Sequence, residues 1–397
     1  MLVVVSTVRA PLADVRRTLR VRWYRSPIDP GLLRQFMRRS DLQGWWQALG
    51  VIGYLAGTAL LTHHFFSQRQ WALFAAALFA YGTYSCFLGA ASHELDHGTV
   101  FRTKALNRFF LRLFSLITFF NPDDYALSHT YHHRYTLHPE GDREVVLPQS
   151  AAMRFLFVIQ LFCVNLTGGP GCDGLIPRVR DTVNTALGKP PARDAAGDTE
   201  PLAPDAHEWM AALYEAHPEE RMKSVRWARK ILLFHAAVIA VAIVFQLWLL
   251  PVFITLSRFL ANWWRLFVFL PMHCGLRDNV ADFRKCTRSI RLDPVSSFMY
   301  WRMNWHLEHH MYAGVPCYNL RKLRKAIEFD LPVAKNAVAA FREMRATWKR
   351  QQTEPGYQYD TPLPPTANPG HVDGSAPNRD DGLSTSIGDL APAVLAR

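Results

Sequence analysis

Residues 301–310 read Trp301-Arg-Met-Asn-Trp-His306-Leu-Glu-His309-His310. Side chains three and four apart on a helix are neighbours, with Cβ atoms about 5–6 Å apart. Imidazoles at i, i+3 and i+4 can therefore converge on one point. The same pattern occurs earlier as His129-Thr-Tyr-His132-His133 and, one turn long, as His93-Glu-Leu-Asp-His97. A single such box is weak, because His pairs arise by chance on surface helices. Three are a different matter, since eight of the 16 histidines lie in them. Imidazole nitrogen suits Zn, Cu, Fe and Ni, and one zinc takes about four ligands. Eight rings are too many for one ion, so two metal ions sharing eight or nine nitrogens is the natural count.

The boxes are set among long uncharged runs. About 20 apolar residues cross a bilayer core, which reads Trp46–Phe66 as a first span and Trp71–Ala91 as a second. The second runs straight into His93, so the first box stands where the helix leaves the membrane, avoiding the cost of polar groups in hydrocarbon. Ala105–Phe120 is apolar but carries Arg108 and Arg112, as expected of a helix lying in the interface. Asn121-Pro-Asp-Asp then breaks the chain before the second box. Phe155–Leu166 has the length of an interfacial or re-entrant segment.

All three boxes must meet on one side of the membrane to share metal, so the crossings between His133 and His306 must be even in number. Ile231–Leu250 is one clear span. The return falls on 252–272, although Arg258 and Arg265 lie within it; Arg258 is expected to snorkel to the far interface and Arg265 to need an internal partner. A crossing by Phe155–Leu166 in place of 252–272 would keep the parity. The expected fold is thus an all-α membrane protein of about four transmembrane helices, with interfacial helices and a cytoplasmic cap carrying a His-rich dimetal site. Residues 1–44 are a basic cytoplasmic segment, and 45–350 are the membrane domain. Within that domain 168–226 is a cytoplasmic insertion with a helix over about 206–223. Residues 351–397 form a disordered tail.

The chain has 397 residues, 49% of them hydrophobic, and a net charge of +12. Arg and Lys crowd the box side of the spans. The positive-inside rule puts both termini and the boxes in the cytoplasm, which would be the inner membrane of a bacterial cell. No nucleic-acid motif accompanies the charge, so nucleic acid is not expected as a partner. Six cysteines without a CxxC pair read as reduced, structural thiols. Leu2–Val5 is too short for a signal-peptide core. Metal-bound His usually gives its other ring N–H to a carboxylate or carbonyl, so Glu94, Asp96, Asp142, Glu144 and Glu308, beside the boxes, are candidate supports. Tyr84, Phe87, Trp301 and Trp305 are candidate walls of an apolar substrate tunnel, or core packing. His63, His64, His138, His207, His217, His235 and His371 are read as surface or packed residues.

The order HxxxH, HxxHH, HxxHH among hydrophobic spans resembles the membrane-bound fatty acid desaturase and hydroxylase superfamily over roughly residues 45–330. The words His93-Glu-Leu-Asp-His97-Gly-Thr-Val-Phe and His306-Leu-Glu-His309-His310-Met-Tyr carry the likeness. The resemblance implies two iron ions that use O2 to remove hydrogen from an unactivated C–H bond of a fatty acyl or lipid-borne chain. It also implies a further ligand, His273, where the last span re-emerges. Some relatives place Asn four residues before that histidine; here the position is Phe269, and Asn304 is the candidate substitute. The chain holds no GxGxxG, P-loop or CxxC cluster, so electrons are expected from a separate ferredoxin or cytochrome-type donor docking on the basic face.

Two other readings remain open. A hydroxylase or ketolase of the same superfamily, acting on a sphingolipid, carotenoid or other apolar substrate, would share the metal site. A metal transporter or storage protein would place its histidines along the membrane path rather than at its boundary.

Overall fold

The computed structural model describes residues 10–143, 154–169, 172–189 and 205–370, for 205–207 the backbone only. Glu144, His371 and the remainder of the expected tail lie outside the described residues. The chain runs α1 (Leu12–Thr18), α2 (Pro30–Phe36), α3 (Asp41–Ser67), α4 (Trp71–Ser85), α5 (Leu88–Asp96), α6 (Lys104–Ile117), α7 (Pro122–Tyr135), α8 (Phe155–Phe162) and α9 (Leu175–Ala186). It continues through α10 (Asp205–Ala216), α11 (Pro218–Val244), α12 (Leu249–Ile254), α13 (Trp263–Phe269), α14 (Phe283–Cys286), α15 (Pro294–Met299), α16 (His306–Met311), α17 (Leu320–Ile327) and α18 (Ala337–Gln351). The one small sheet among the described residues pairs Ile290–Arg291 in parallel with Lys335–Asn336.

Among the described residues, three helices are long and apolar enough to cross a membrane: α3, the α4–α5 pair over Trp71–Asp96, and α11. Each shows large apolar side chains outward, such as Leu60, Trp71 and Phe79 on the first two and Leu233, Ile243 and Val244 on α11. A soluble helix would bury these, whereas lipid accepts them. α3 and α4 form a hairpin through a tight turn at Arg69, whose φ is 56°. Lys230 is the last charge on α11 before its apolar half.

The expected fourth span is not a continuous helix. Residues 252–272 fall into α12, an irregular stretch and α13. Non-helical backbone is tolerated at membrane depth only where protein satisfies it, and that condition is met here. Tyr81 and Ser85 of α4 donate to the carbonyls of Phe253 and Ser257, both at 2.5 Å. Phe259 and Ala261 bond the backbone of Asn165 and Cys163 at 2.8 Å. The loop after α8 thus forms the other wall of this stretch, and α8, eight residues long, does not cross by itself. Gly82 makes the approach possible: a Cβ there would lie 2.8 Å from the Leu260 carbonyl.

Arg258 does not snorkel. It is buried and donates two bonds to Asp173 at 3.1 and 3.2 Å, sharing that carboxylate with Arg178. Arg265 lies over the Phe269 ring at 4.4 Å.

The cap differs from expectation in three places. The helix expected over 206–223 breaks at His217-Pro218, and Trp209, Met210 and Leu213 of α10 bury against Tyr131 of α7 and Val15 of α1. The basic N-terminal segment is part of the cap: Trp23 stacks on Phe283 at 4.0 Å and Tyr24 donates to Asp330. Residues 353–370, expected to lack structure, lie against the cap through Tyr359 to Gly275 and Asn368 to Asp330.

Candidate metal centre

Each box is carried by an element whose start or stop the sequence explains. α5 carries His93 and ends at His97. α7 is nucleated by Asn121, whose side chain accepts from the amides of Asp123 and Asp124, with Pro122 in the first turn. α16 begins only at His306, because Trp301 and Arg302 just before it adopt positive φ, 53° and 56°. The third box is therefore a short helix leaving a strained turn.

The structure brings nine histidines together in two adjoining groups. His93, His97, His129, His133 and His309 form one; His132, His273, His306 and His310 form the other. Within each group one nitrogen per ring lies within 4.8 Å of every other. All but His97 are buried. The groups touch where His133 stacks on His310, 4.4 Å between centroids. These are the eight box histidines and His273. Among the described side chains the remaining histidines are not in either group: His138 bonds the Tyr135 carbonyl, His217 the Tyr131 hydroxyl, and His235 bonds Thr255 and the Leu116 carbonyl.

Tautomers in the four-ring group follow from the outer partners. His132 Nδ1 faces Asp142 at 2.9 Å, and His273 Nδ1 faces the Cys286 carbonyl at 2.9 Å. Both partners only accept, so both rings carry the proton on Nδ1. His310 Nδ1 faces the Thr136 hydroxyl at 3.2 Å, whose own proton goes to the His132 carbonyl at 2.6 Å. His310 must donate as well. Three Nε2 lone pairs therefore point inward, yet His132 Nε2 and His310 Nε2 are 3.2 Å apart, and His306 Nε2 lies 3.1 Å from His310 and 2.9 Å from His273. His306 can donate to at most one of them. Lone pairs this close repel unless a cation stands among them, so the donor set fits a transition-metal ion.

The five-ring group repeats the theme. His93 Nδ1 bonds Glu94 at 3.0 Å, leaving its buried Nε2 without a protein partner, and His309 Nδ1 is 3.6 Å from the same carboxylate. His129 and His97 face each other at 3.2 Å through Nε2, as do His309 and His133. Burial, then neighbouring imidazoles, hold His129, His133, His306, His309 and His310 well below the usual histidine value. Burial and His132 take His273 down to about 3. Neutral rings are the form that binds metal.

The candidate supports divide. Glu94 and Asp142 contact box rings. Glu308 does not: it turns away to Ser289 and to Arg324, 2.5 Å distant, and anchors α16 to α17. Asn304 is spent on the Ile290 carbonyl and Ser297, both 2.8 Å away, so it does not replace the asparagine that Phe269 lacks. Asp96 lines a cleft on the outer side of α7. Thr136 and the Cys286 carbonyl were not foreseen. Thr136 could have been, standing four residues after His132 on the same helix; a backbone carbonyl leaves no sequence signal.

A cavity of about 60 Å3 reaches His93, lined by Phe87, Phe120, Phe269, Tyr300 and Met303 and by the buried Arg258 and Arg265. Of the four expected tunnel walls, only Phe87 lines it. Trp301 packs on Phe114, and Trp305 lies beneath Arg324.

The fatty acid desaturase family model matches residues 69–191 and 200–340, more than half of the chain. No curated protein matches it.

Proposed function

The chain belongs to the fatty acid desaturase family, and from that premise we propose that it is an O2-dependent desaturase of a fatty acyl or lipid-borne acyl chain. Family membership and the three apolar helices make it an oxidoreductase of the membrane with a lipid or acyl substrate. The finer reading rests on one observation: nine imidazoles from four segments converge in two groups, with inward lone pairs that only cations reconcile. Two iron ions, one held by His93, His97, His129, His133 and His309 and the other by His132, His273, His306 and His310, would supply O2 activation. Both would stand with the termini on the cytoplasmic side, toward which the Arg-rich cap faces.

The chain's own residues do the rest. Asp142, the Cys286 carbonyl and Thr136 hold protons on Nδ1 and keep Nε2 free. Burial of the rings excludes water, so reducing equivalents are not lost to solvent. The apolar wall of Phe87, Phe120 and Phe269 beside His93 takes methylene groups and holds one C–H pair near the centre. The balance is one O2, two substrate hydrogens, two protons and two electrons giving a double bond and two waters. The electrons come one at a time from a separate ferredoxin or cytochrome-type donor attracted to the basic face.

The test is expression followed by lipid and polar-extract mass spectrometry, comparing wild type with His309→Ala. Wild type is expected to yield a product lighter by two hydrogens, absent from the variant. A product gained equally by both overturns the site assignment. Gain of one oxygen instead selects the hydroxylase or ketolase reading.

A further inference from the structure

We propose that the cleft between α6, α7 and α11 binds the phosphate of an anionic membrane-lipid head group. The cavity, about 530 Å3, lies behind the box helix: α7 shows it Ala126, Thr130 and Arg134, while His129, His132 and His133 face the other way. Seven Arg and Lys side chains line it against Asp96, Asp123 and Glu220. Two of these acids are already matched. Arg112 grips Asp123 through both guanidinium nitrogens, at 2.9 and 3.0 Å, and Lys223 reaches Glu220 at 2.7 Å. Arg16, Arg108, Arg134, Arg226 and Lys230 remain, facing Asp96 alone among the lining residues described. His217 adds no charge near neutral pH, because burial lowers its pKa.

An ordinary cytoplasmic surface spreads its basic residues over convex, solvated ground. Here they surround a concavity whose floor is Leu111, Leu127 and the Trp227 ring. Low-dielectric walls focus the field of like charges, and a guanidinium matches two phosphate oxygens at once. The depth is right for a lipid. α6 is the amphipathic interfacial helix, and α11 carries no Asp, Glu, Lys or Arg after Lys230, which itself lies 5.5 Å from the Trp227 ring. Basic pockets between helices at the cytoplasmic surface are the sites that take anionic head groups. The apolar floor then accepts the glycerol and first methylenes.

The test uses the full-length protein in detergent, titrated with phosphatidylglycerol, phosphatidylcholine or inorganic phosphate. Lipid retained per chain is read by native mass spectrometry and the Tm by thermal unfolding. Wild type is expected to retain phosphatidylglycerol in preference to phosphatidylcholine and to gain Tm with it. Arg134→Gln/Arg226→Gln should weaken retention roughly thirtyfold, at about fivefold per cation near a membrane surface. Arg108→Gln should weaken it about fivefold, and serves if the double variant does not fold. Arg321→Gln, on the exposed face of α17, should leave it unchanged. Equal retention by wild type and the cleft variants overturns the site. Equal retention of the two lipids overturns the anionic selectivity. A Tm gain from inorganic phosphate as large as that from phosphatidylglycerol overturns the lipid as the source of the phosphate.

Discussion

Asp142 decides which nitrogen of His132 faces the cluster. Its carboxylate accepts from Nδ1 at 2.9 Å and from the Leu137 amide at 2.9 Å, so it is itself fixed in place. Removing such an outer partner usually costs 10–100-fold in metal affinity, and Asp142→Ala is expected to weaken metal binding by about that factor in a chelator competition. Unchanged affinity would show that His132 needs no such support. Asp124, on the same helix, reports on the cap instead. Burial raises its carboxyl to about 6 despite bonds from Tyr214 and Ser224. A carboxyl whose folded value lies above its unfolded one binds a proton more tightly when folded. Its stabilising contribution is therefore complete below the unfolded value of 3.8 and is lost as pH rises through about 6. Wild-type Tm should fall more steeply than that of Asp124→Asn between about pH 4 and 6.5; parallel curves would contradict this. The box spacing was legible because helical periodicity is a property of sequence. The Cys286 carbonyl was not, since every residue carries one.

The element that sequence misjudged is the return from α11. Hydropathy located α3, the second span and α11, since each is a local run. It also proposed a helix over 252–272, because hydropathy does not report where the backbone hydrogen bonds go. Tyr81, Ser85 and the loop after α8 supply those bonds from outside the segment. The two arginines looked like intruders for the same reason: the partner of Arg258 is Asp173, 85 residues away in sequence. Breaking a buried pair leaves an uncompensated charge and costs about 3–5 kcal/mol. Asp173→Asn is expected to lower the Tm by several degrees in detergent, measured with the metal site intact by absorbance or metal analysis. A Tm within about a degree of wild type would mean that Arg258 is not held as described. The break of the expected 206–223 helix at His217-Pro218 was legible in principle, since proline disfavours helix in the residue before it.

At the scale of the molecule, three long apolar helices carry a cap in which segments more than 200 residues apart in sequence place nine imidazoles together. The turn at Arg69 and the cap loop at Arg277 should lie on opposite sides of the bilayer. In a Cys163→Ser background, which removes the exposed thiol among the described residues, a membrane-impermeant maleimide applied to intact cells should label Arg69→Cys and spare Arg277→Cys. Labelling of both, or of Arg277→Cys alone, would refute the proposed sidedness. The central claim, that these rings enclose two metal ions, is tested most directly by elemental analysis of the purified protein. About two irons per chain are expected from nine nitrogens, with clearly less in His132→Ala and His306→Ala preparations that keep the wild-type helical content. Wild type free of transition metal, or variants loaded as fully as wild type, would contradict it.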